Sequence, residues 1–385
     1  MTAADQLLVS GVYANLGKAI AARESAVDIA QSVFREVLAD ADCMAVLRAL
    51  MGDLAEAAVL SRAHDTQPAN VAPALADLQQ RTAMLLQPVA AERLDQARPV
   101  AGESFVPFQP APDPPGNPAA DLPEAMGAEP AALALFQVGW ATLMQGLAGA
   151  AEPCLLRAHA LAIDTSQAAV AVISALQLAH LSALRGDTAA TERWLATSLA
   201  TAERAPEAAW ASIWPRIHQA FLLLLDDKFA DARALFEALA AQLGDLPAFA
   251  SHRAGVEVGL GLLDLAAGNQ GRAATRLQAA MANPQALYGF VYAAAQHGLA
   301  RIAASRGDLP GARMRLAHTL DYSARRGLLP EYIRTAIEIA RIERDFGEPA
   351  LAVPQLQAAA ALADSAGFKP LAAAAHALLA RLAPL

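Results

Sequence analysis

The sequence predicts an all-α protein made of stacked helix pairs, and two observations carry this prediction. A unit of about 40 residues recurs six times between residues 131 and 367. The composition is 55% hydrophobic but only 5% aromatic, because alanine supplies much of the apolar content. Alanine is the strongest helix former and lets helices pack closely, so this composition favours tightly stacked helices over sheets.

Each unit is divided by a turn at a glycine or, once, at an aspartate. The turn positions are Gly146, Gly186, Asp227, Gly268, Gly307 and Gly347. Glycine readily adopts the left-handed backbone conformation that ends many helices, and aspartate does so less often. Each unit is therefore predicted to be a first helix, a short turn and an antiparallel second helix.

Three further positions recur at fixed distances from the turn residue. The position seven before it is always small: Gly139, Ala179, Ala220, Gly261, Ala300 and Ala340. The position five after it is Ala151, Thr191, Ala232, Ala273, Ala312 and Ala352. The position nine after it is large and apolar: Leu155, Leu195, Phe236, Leu277, Leu316 and Leu356. Small residues let the paired helices approach closely, while the large side chain packs against the next unit.

The chain is predicted to divide into three parts. Residues 1–98 contain about four helical patterns, which form either a degenerate repeat or a separate bundle. Nine prolines between residues 99 and 130 predict a polyproline or disordered linker. Residues 131–385 contain the six helix pairs and a closing helix from Phe368 to Leu382, which covers the core of the last pair.

The repeat pattern resembles the tetratricopeptide repeat. The resemblance rests on the small residue before the turn, the glycine–aspartate turn and the alanine and large apolar positions after it, as between Ala300 and Ala312. Units near 40 residues are similar to the sensor superhelix of the large ATP-dependent LuxR-type transcription regulators. The resemblance implies a right-handed superhelix that binds a partner. The chain has no recognisable ATPase domain before the repeats and no DNA-binding helix-turn-helix after them.

The charge and the cysteine content limit which partners and which cellular location are expected. The net charge of −9 and the presence of only three lysines argue against direct nucleic-acid binding, which needs clustered Lys and Arg. Cys43 and Cys154 lie far apart, as expected for a reducing compartment. No basic run precedes an apolar stretch near the N-terminus, so the sequence predicts a cytoplasmic protein.

One uncharged stretch, from Pro130 to Ala151, is long enough to span a bilayer. Gln137, Thr142 and Gln145 interrupt it, and its small residues fall on the repeat register. We interpret it as the buried first helix of the array, with a membrane span as the alternative.

No catalytic, cofactor-binding or metal-binding set is predicted. The eight histidines show no His-Glu-x-x-His pattern and no cysteine or aspartate at metal-ligand spacing. The Arg-Gly-Asp tripeptides at residues 185–187 and 306–308 lie on repeat turns, where glycine and aspartate are expected for geometric reasons. The sequence therefore predicts a protein that is not an enzyme.

The resemblance implies that ligands bind on the concave face lined by the first helices. The groove positions carried over onto this sequence are Phe136, Trp140, His180, Trp214, Phe221, His297, Arg301, Arg334, Arg341 and Arg344, with Leu143, Ile173, Leu176, Ile217, Val258 and Leu262 among them. Such a groove changes from apolar to basic along its length. Clustered arginines bind carboxylates well, which favours an acidic protein or peptide partner.

A second interpretation of the same residues remains open. A register shift of one position would put the aromatic side chains into the core between repeats, where most apolar residues at helical spacing lie. Glu338 and Glu343 would then neutralise the arginines.

Two classes of function follow. The favoured one is a non-enzymatic scaffold that holds a protein, peptide or small effector in its groove. The alternative is an effector-sensing regulatory subunit of a bacterial transcription or signalling system whose output domain is on another chain. Phe105 and Phe108 in the linker are expected to fold back onto the first repeats or onto residues 1–98, so that deleting residues 103–110 raises the affinity for an external ligand.

Overall fold

We describe the fold from a computed structural model, which covers residues 127–205, 211–244, 250–282 and 289–382 and a few positions between 107 and 123. In these residues the secondary structure is entirely helical, and thirteen α-helices follow one another along the chain. The predicted all-α class is confirmed. The predictions for residues 1–98, for Phe105 and for Cys43 fall outside the described residues.

The helices are α1 (Ala128–Met144), α2 (Ala148–Asp164), α3 (Ala168–Arg185), α4 (Thr188–Arg204), α5 (Ile213–Leu225), α6 (Phe229–Leu243), α7 (Ala250–Ala266), α8 (Gln270–Met281), α9 (Gly289–Ser305), α10 (Leu309–Arg325), α11 (Leu329–Phe346), α12 (Pro349–Ala366) and α13 (Lys369–Leu382).

The predicted turn residues lie in the short breaks between helices, so odd-numbered helices up to α11 are first helices and even-numbered ones are second helices. Five of the six have positive φ, from 58° at Asp227 to 86° at Gly146. Gly347 differs, with φ −134°. There the carboxylate of Glu343 accepts a hydrogen bond from the backbone N–H of Glu348 (3.0 Å) and caps the start of α12 instead.

The glycine–aspartate turns combine a helix end with a helix start. After Gly186, the side chain of Asp187 accepts a hydrogen bond from the backbone N–H of Ala190 at 2.9 Å. After Gly307, Asp308 caps α10 in the same way through Gly311, also at 2.9 Å. An aspartate at this position satisfies an N–H that the helix leaves unpaired. The two Arg-Gly-Asp tripeptides are thus explained by local backbone geometry.

The recurring small and large positions are buried in every pair, with exposures between 0 and 7% where a side chain is present. Within one pair, a Cβ added at Gly139 would lie 2.7 Å from Leu155, and one added at Gly261 would lie 2.9 Å from Leu277. Both distances are shorter than ordinary carbon contacts, so only glycine permits this approach of the first and second helices.

The large residue also contacts the first helix of the next pair. A Cβ added at Gly298 would lie 2.7 Å from Leu277, and one added at Gly259 would overlap the ring of Phe236. From α5 onward, each first helix also packs on the following first helix, and α11 packs on the closing helix α13. Each of these pairs therefore buries apolar surface against its neighbours in the chain.

The chain forms two compact units. Of the described helices, the first unit contains α1 up to Leu143, α2 from Gly149 and the beginning of α3 up to Ser174. The second unit contains Met144–Ala148 and the chain from Ala175 onward, together with residues 99–112. Each unit has its own buried side chains, such as Leu135 in the first and Phe236 in the second.

Helix α3 is long and apolar enough, by length and composition, to cross a bilayer. Half of its most apolar window is buried inside the fold, and central helices of packed helical arrays have the same composition. The uncharged stretch between Pro130 and Ala151 is broken at Gly146, and its apolar helical part, Ala131–Met144, is shorter than α3.

Phe108, in the proline-rich segment, is buried and packs against Tyr332 on α11. The ring centroids are 5.4 Å apart, and the rings are inclined by 55°. The segment thus folds back at this residue onto α11, the first helix of the sixth pair. The sequence had predicted a contact with the first repeats or with residues 1–98, and the latter lie outside the described residues. Tyr332 is fully buried, so it offers Phe108 a fixed apolar surface.

We predict that Gly259→Ala lowers the free energy of unfolding by about 1–3 kcal/mol, because the added methyl group collides with Phe236. The matched control is Gly271→Ala on α8, where an added Cβ meets nothing within 4 Å. This control should leave stability unchanged or raise it slightly. Urea unfolding, followed by far-UV circular dichroism, measures the stability of both variants. Equal stabilities would contradict the close packing of Gly259 against Phe236.

We predict that Phe108→Ala lowers the free energy of unfolding by about 1–3 kcal/mol and speeds amide hydrogen exchange in the first turn of α11. The reason is the loss of the ring that covers Tyr332. Phe229→Ala removes a ring that is 42% exposed and serves as the control. Unchanged exchange at α11 in the Phe108 variant would show that the segment does not bind there in solution.

Candidate functional site

The apolar residues of the predicted groove pack within the helical array. In the first unit, Phe136 is buried and stacks on half-buried Trp140, with ring centroids 6.3 Å apart and planes inclined by 11°. Leu143, Ile217 and Val258 have no exposure, and Leu176 has 6%. Ile173 and Leu262 are half-buried.

Trp214 and Phe221 belong to an aromatic cluster that joins three successive first helices. Trp214 on α5 lies 4.8 Å from the ring of His252 on α7, and Phe221 lies 5.6 Å from Phe290 on α9 in an edge-on arrangement. Phe221 also packs edge-on against Phe236 at 5.2 Å. These half-buried aromatic side chains therefore stabilise the contacts between repeats.

The four predicted groove arginines each pair with a carboxylate. Arg301 makes a two-pronged contact with Glu338, and Arg341 lies 3.5 Å from the same carboxylate. The other two pairs are Arg334 with Glu331 at 2.7 Å and Arg344 with Asp345 at 2.6 Å. Glu343, the second acid expected to neutralise this group, binds Arg313 at 2.6 Å instead.

Glu338 is the central charge of this region. Its side chain is only 2% exposed, and burial alone would raise its pKa. The hydrogen bonds and charge of Arg301, assisted by Arg341, outweigh burial and hold the pKa of Glu338 below its ordinary value. The carboxylate is therefore ionised at neutral pH and anchors two guanidinium groups from neighbouring first helices.

These residues border a cavity of about 430 Å³, which we call the Arg301–Arg341 cleft. It lies where α7, α9 and α11 end. The lining residues are Leu265, Gln270, Arg301, Ser305, Glu338, Arg341, Ile342, Asp345 and Phe346. The volume falls in the range of ligand-binding pockets.

The cleft combines cationic and apolar surfaces. The side chains of Arg301 and Arg341 are 45% and 48% exposed. Arg301 is held by two hydrogen bonds, whereas Arg341 makes only a 3.5 Å contact with an acid already bound to Arg301, so most of its five donors point away from Glu338. Phe346 is 49% exposed beside them. Together these groups suit a carboxylate next to an apolar side chain.

The repeat register explains why Arg301 and Arg341 come together. Each follows directly after the small residue of its pair, Ala300 or Ala340, so they hold the same position on successive first helices. The sequence therefore identified these two arginines. It missed Leu265, Asp345 and Phe346, because helix ends from three different pairs meet at the cleft.

Within the described residues, no group of three or more His, Cys, Asp and Glu side chains is placed to hold a metal ion. Cys154 is a buried free thiol, and its burial raises its pKa to about 11. Such a thiol stays protonated at neutral pH and is a poor nucleophile.

Comparison with models of known protein families and with curated proteins gives no match to this chain. What the molecule binds is therefore inferred from its own geometry.

We predict that Arg301→Ala lowers the free energy of unfolding by about 1–2 kcal/mol, because it leaves the buried carboxylate of Glu338 with only the longer contact to Arg341. The double variant Arg301→Ala/Glu338→Gln removes the unpaired charge and should regain most of the lost free energy of unfolding. Lys228→Ala breaks an exposed pair with Asp226 and should change stability by less than about 0.5 kcal/mol.

The Arg301–Glu338 pair makes the stability of the fold depend on pH. The pKa of Glu338 is lower in the folded chain than its ordinary 4.5, so the stabilisation is present above pH 4.5 and is lost as the pH falls through the folded pKa. The stability difference between the wild type and Arg301→Ala should therefore narrow on acidification. A constant difference down to strongly acidic pH would mean that Arg301 stabilises the fold through its packing alone.

Proposed function

We propose that this chain is a non-enzymatic binding scaffold of the tetratricopeptide type, which holds an acidic segment of a partner protein in the Arg301–Arg341 cleft. The observation that carries the proposal is that two half-exposed arginines from successive first helices line one cavity together with the exposed ring of Phe346. The repeat register supports the family relationship, since all its small and large positions are buried.

The cleft offers a ligand two kinds of contact, one charged and one apolar. A ligand carboxylate receives hydrogen bonds from the guanidinium of Arg341, which Glu338 holds only loosely at 3.5 Å. An apolar side chain beside that carboxylate packs on Leu265 and Phe346 at the rim. A cavity of about 430 Å³ accommodates a few side chains of a partner, so we propose that the partner contributes a short peptide motif.

Charge makes the interaction selective and sensitive to salt. The chain as a whole carries −9, so the attraction of an acidic segment depends on the local guanidinium groups of Arg301 and Arg341. Arg301 and Arg341 are half exposed, so dissolved salt screens their charges and binding of an acidic segment should weaken as the salt concentration rises. The proposal also includes a cytoplasmic location, which the buried free thiol of Cys154 supports.

Selection of random phage-displayed peptides on the full chain tests the proposal. Selected peptides should be enriched in acidic residues next to large apolar ones, and their affinity should fall roughly tenfold or more in Arg341→Ala, the loss of one charge-assisted pair. Arg306→Ala removes an exposed arginine on a repeat turn outside the cleft and should leave binding unchanged.

Two results would overturn the proposal. One is enrichment of peptides without acidic residues. The other is equal binding of the selected acidic peptides to the wild type and to Arg341→Ala. Because Arg341 is half exposed and makes only a 3.5 Å ion-pair contact, its replacement should leave the unfolding midpoint close to that of the wild type, which separates loss of binding from loss of folding.

A further inference from the structure

The second unit contains a group of histidines that the cleft does not use. His180 on α3 and His218 on α5 face each other, with ring centroids 5.5 Å apart in an edge-on arrangement. His297 on α9 binds the hydroxyl of Thr335 on α11 at 2.9 Å, and Thr335 follows directly after Arg334. We call His180, His218, His297 and Arg334 the inner histidine cluster.

Arg334 connects the members of this cluster electrostatically. Burial is the main cause that lowers the pKa of His180, His218 and His297, and the charge of Arg334 lowers all three further. For His218 and His297 the pKa falls to about 4. The histidines are therefore neutral at pH 7, and each offers one N–H donor and one acceptor nitrogen.

Two contacts within the second unit bring elements far apart in the sequence together. The end of α3 approaches the start of the closing helix, because a Cβ added at Gly186 would lie 3.4 Å from Pro370. Likewise Gly146 lies against Leu329 at the start of α11. The turn after α3 thus lies near the closing helix α13, and Gly146 lies near the start of α11.

Two buried polar atoms in this region lack a hydrogen-bond partner among the described residues. One is Nε2 of His218, and the other is Oε1 of Gln177, which lies one helical turn before His180 on the same side of α3. Buried polar atoms without partners are costly and rare in folded proteins. The charge of Arg334 also acts on His218, so the unsatisfied Nε2 points to a site that a polar ligand completes.

We propose that the inner histidine cluster is a binding site for a small carboxylate, separate from the Arg301–Arg341 cleft. Arg334 holds one acid, Glu331, at 2.7 Å, and its side chain is 34% exposed, so it retains donors for a second carboxylate. The Nε2 of His218 donates to the same ligand, and Gln177 binds its polar substituent.

The surrounding charges set how binding depends on pH. The groups that face the cluster are His180 from α3, His218 from α5, His297 and Arg301 from α9, and Glu331, Glu338 and Arg341 from α11. A bound carboxylate favours the protonated form of a neighbouring histidine, so binding raises the histidine pKa and takes up protons on acidification. Binding should accordingly strengthen as the pH falls from 7 towards 5.

NMR spectroscopy of the histidine side chains tests the proposal on the full chain, which has only eight histidines. Titration with succinate should shift the signals of His180 and His218 saturably, and the affinity should fall at least tenfold in His218→Gln and in Arg334→Gln. His376→Gln, an exposed histidine paired with Asp364 on the outer helices, should bind like the wild type. Arg306→Ala, which removes an exposed arginine on a repeat turn, should also bind succinate like the wild type.

Other results decide against the site. Absence of a saturable shift with succinate means that ordered water alone satisfies His218 and Gln177. Saturable shifts with inorganic phosphate but not with succinate assign the cluster to another anion. His218→Gln preserves a neutral hydrogen-bonding side chain, so retained carboxylate affinity in this variant, with a wild-type far-UV spectrum, excludes the proposed contact.

Discussion

The close approach of helices at small residues is the constraint on which the rest of the structure depends. Leu155 and Leu277 fit against Gly139 and Gly261 within their own pairs, and Phe236 fits against Gly259 of the next pair. A side chain at any of these glycines would separate the helices and expose the apolar face that each pair hides against its neighbour. The spacing of helices set here also determines which polar side chains on successive first helices can meet.

Buried carboxylates are the second element that connects neighbouring pairs. Asp264 on α7 has no exposure and accepts hydrogen bonds from Arg233 on α6 and Arg272 on α8, at 2.9 and 2.6 Å. Glu338 joins α11 to α9 through Arg301 in the same manner. A buried charge is tolerated only when it is paired, so Arg233, Arg272 and Arg301 stabilise the fold by pairing with buried carboxylates. Arg341 contacts an acid that Arg301 already binds with two hydrogen bonds, and its own contact is longer, at 3.5 Å.

The two proposed sites differ in how far their side chains are exposed to solvent. The Arg301–Arg341 cleft lies at helix ends, where half-exposed guanidinium groups and the ring of Phe346 meet solvent and suit a peptide. The inner histidine cluster is enclosed, and its lowered histidine pKa values reflect burial beside Arg334. Arg334 and Arg341 lie seven residues apart, two turns along α11.

The sequence by itself determined the all-α class, the turn positions and the buried register, because these follow from local backbone preference and from a spacing repeated in every unit. Arg301 and Arg341 occupy equivalent repeat positions, and the structure places both on one cavity. Only the tertiary structure decided that Trp214 and Phe221 pack between repeats, that Glu343 binds Arg313, and that Phe108 contacts Tyr332. It alone brought His180 and His218 near Arg334. These contacts join helices far apart in the chain, and their geometry depends on rotations between pairs that no single repeat encodes.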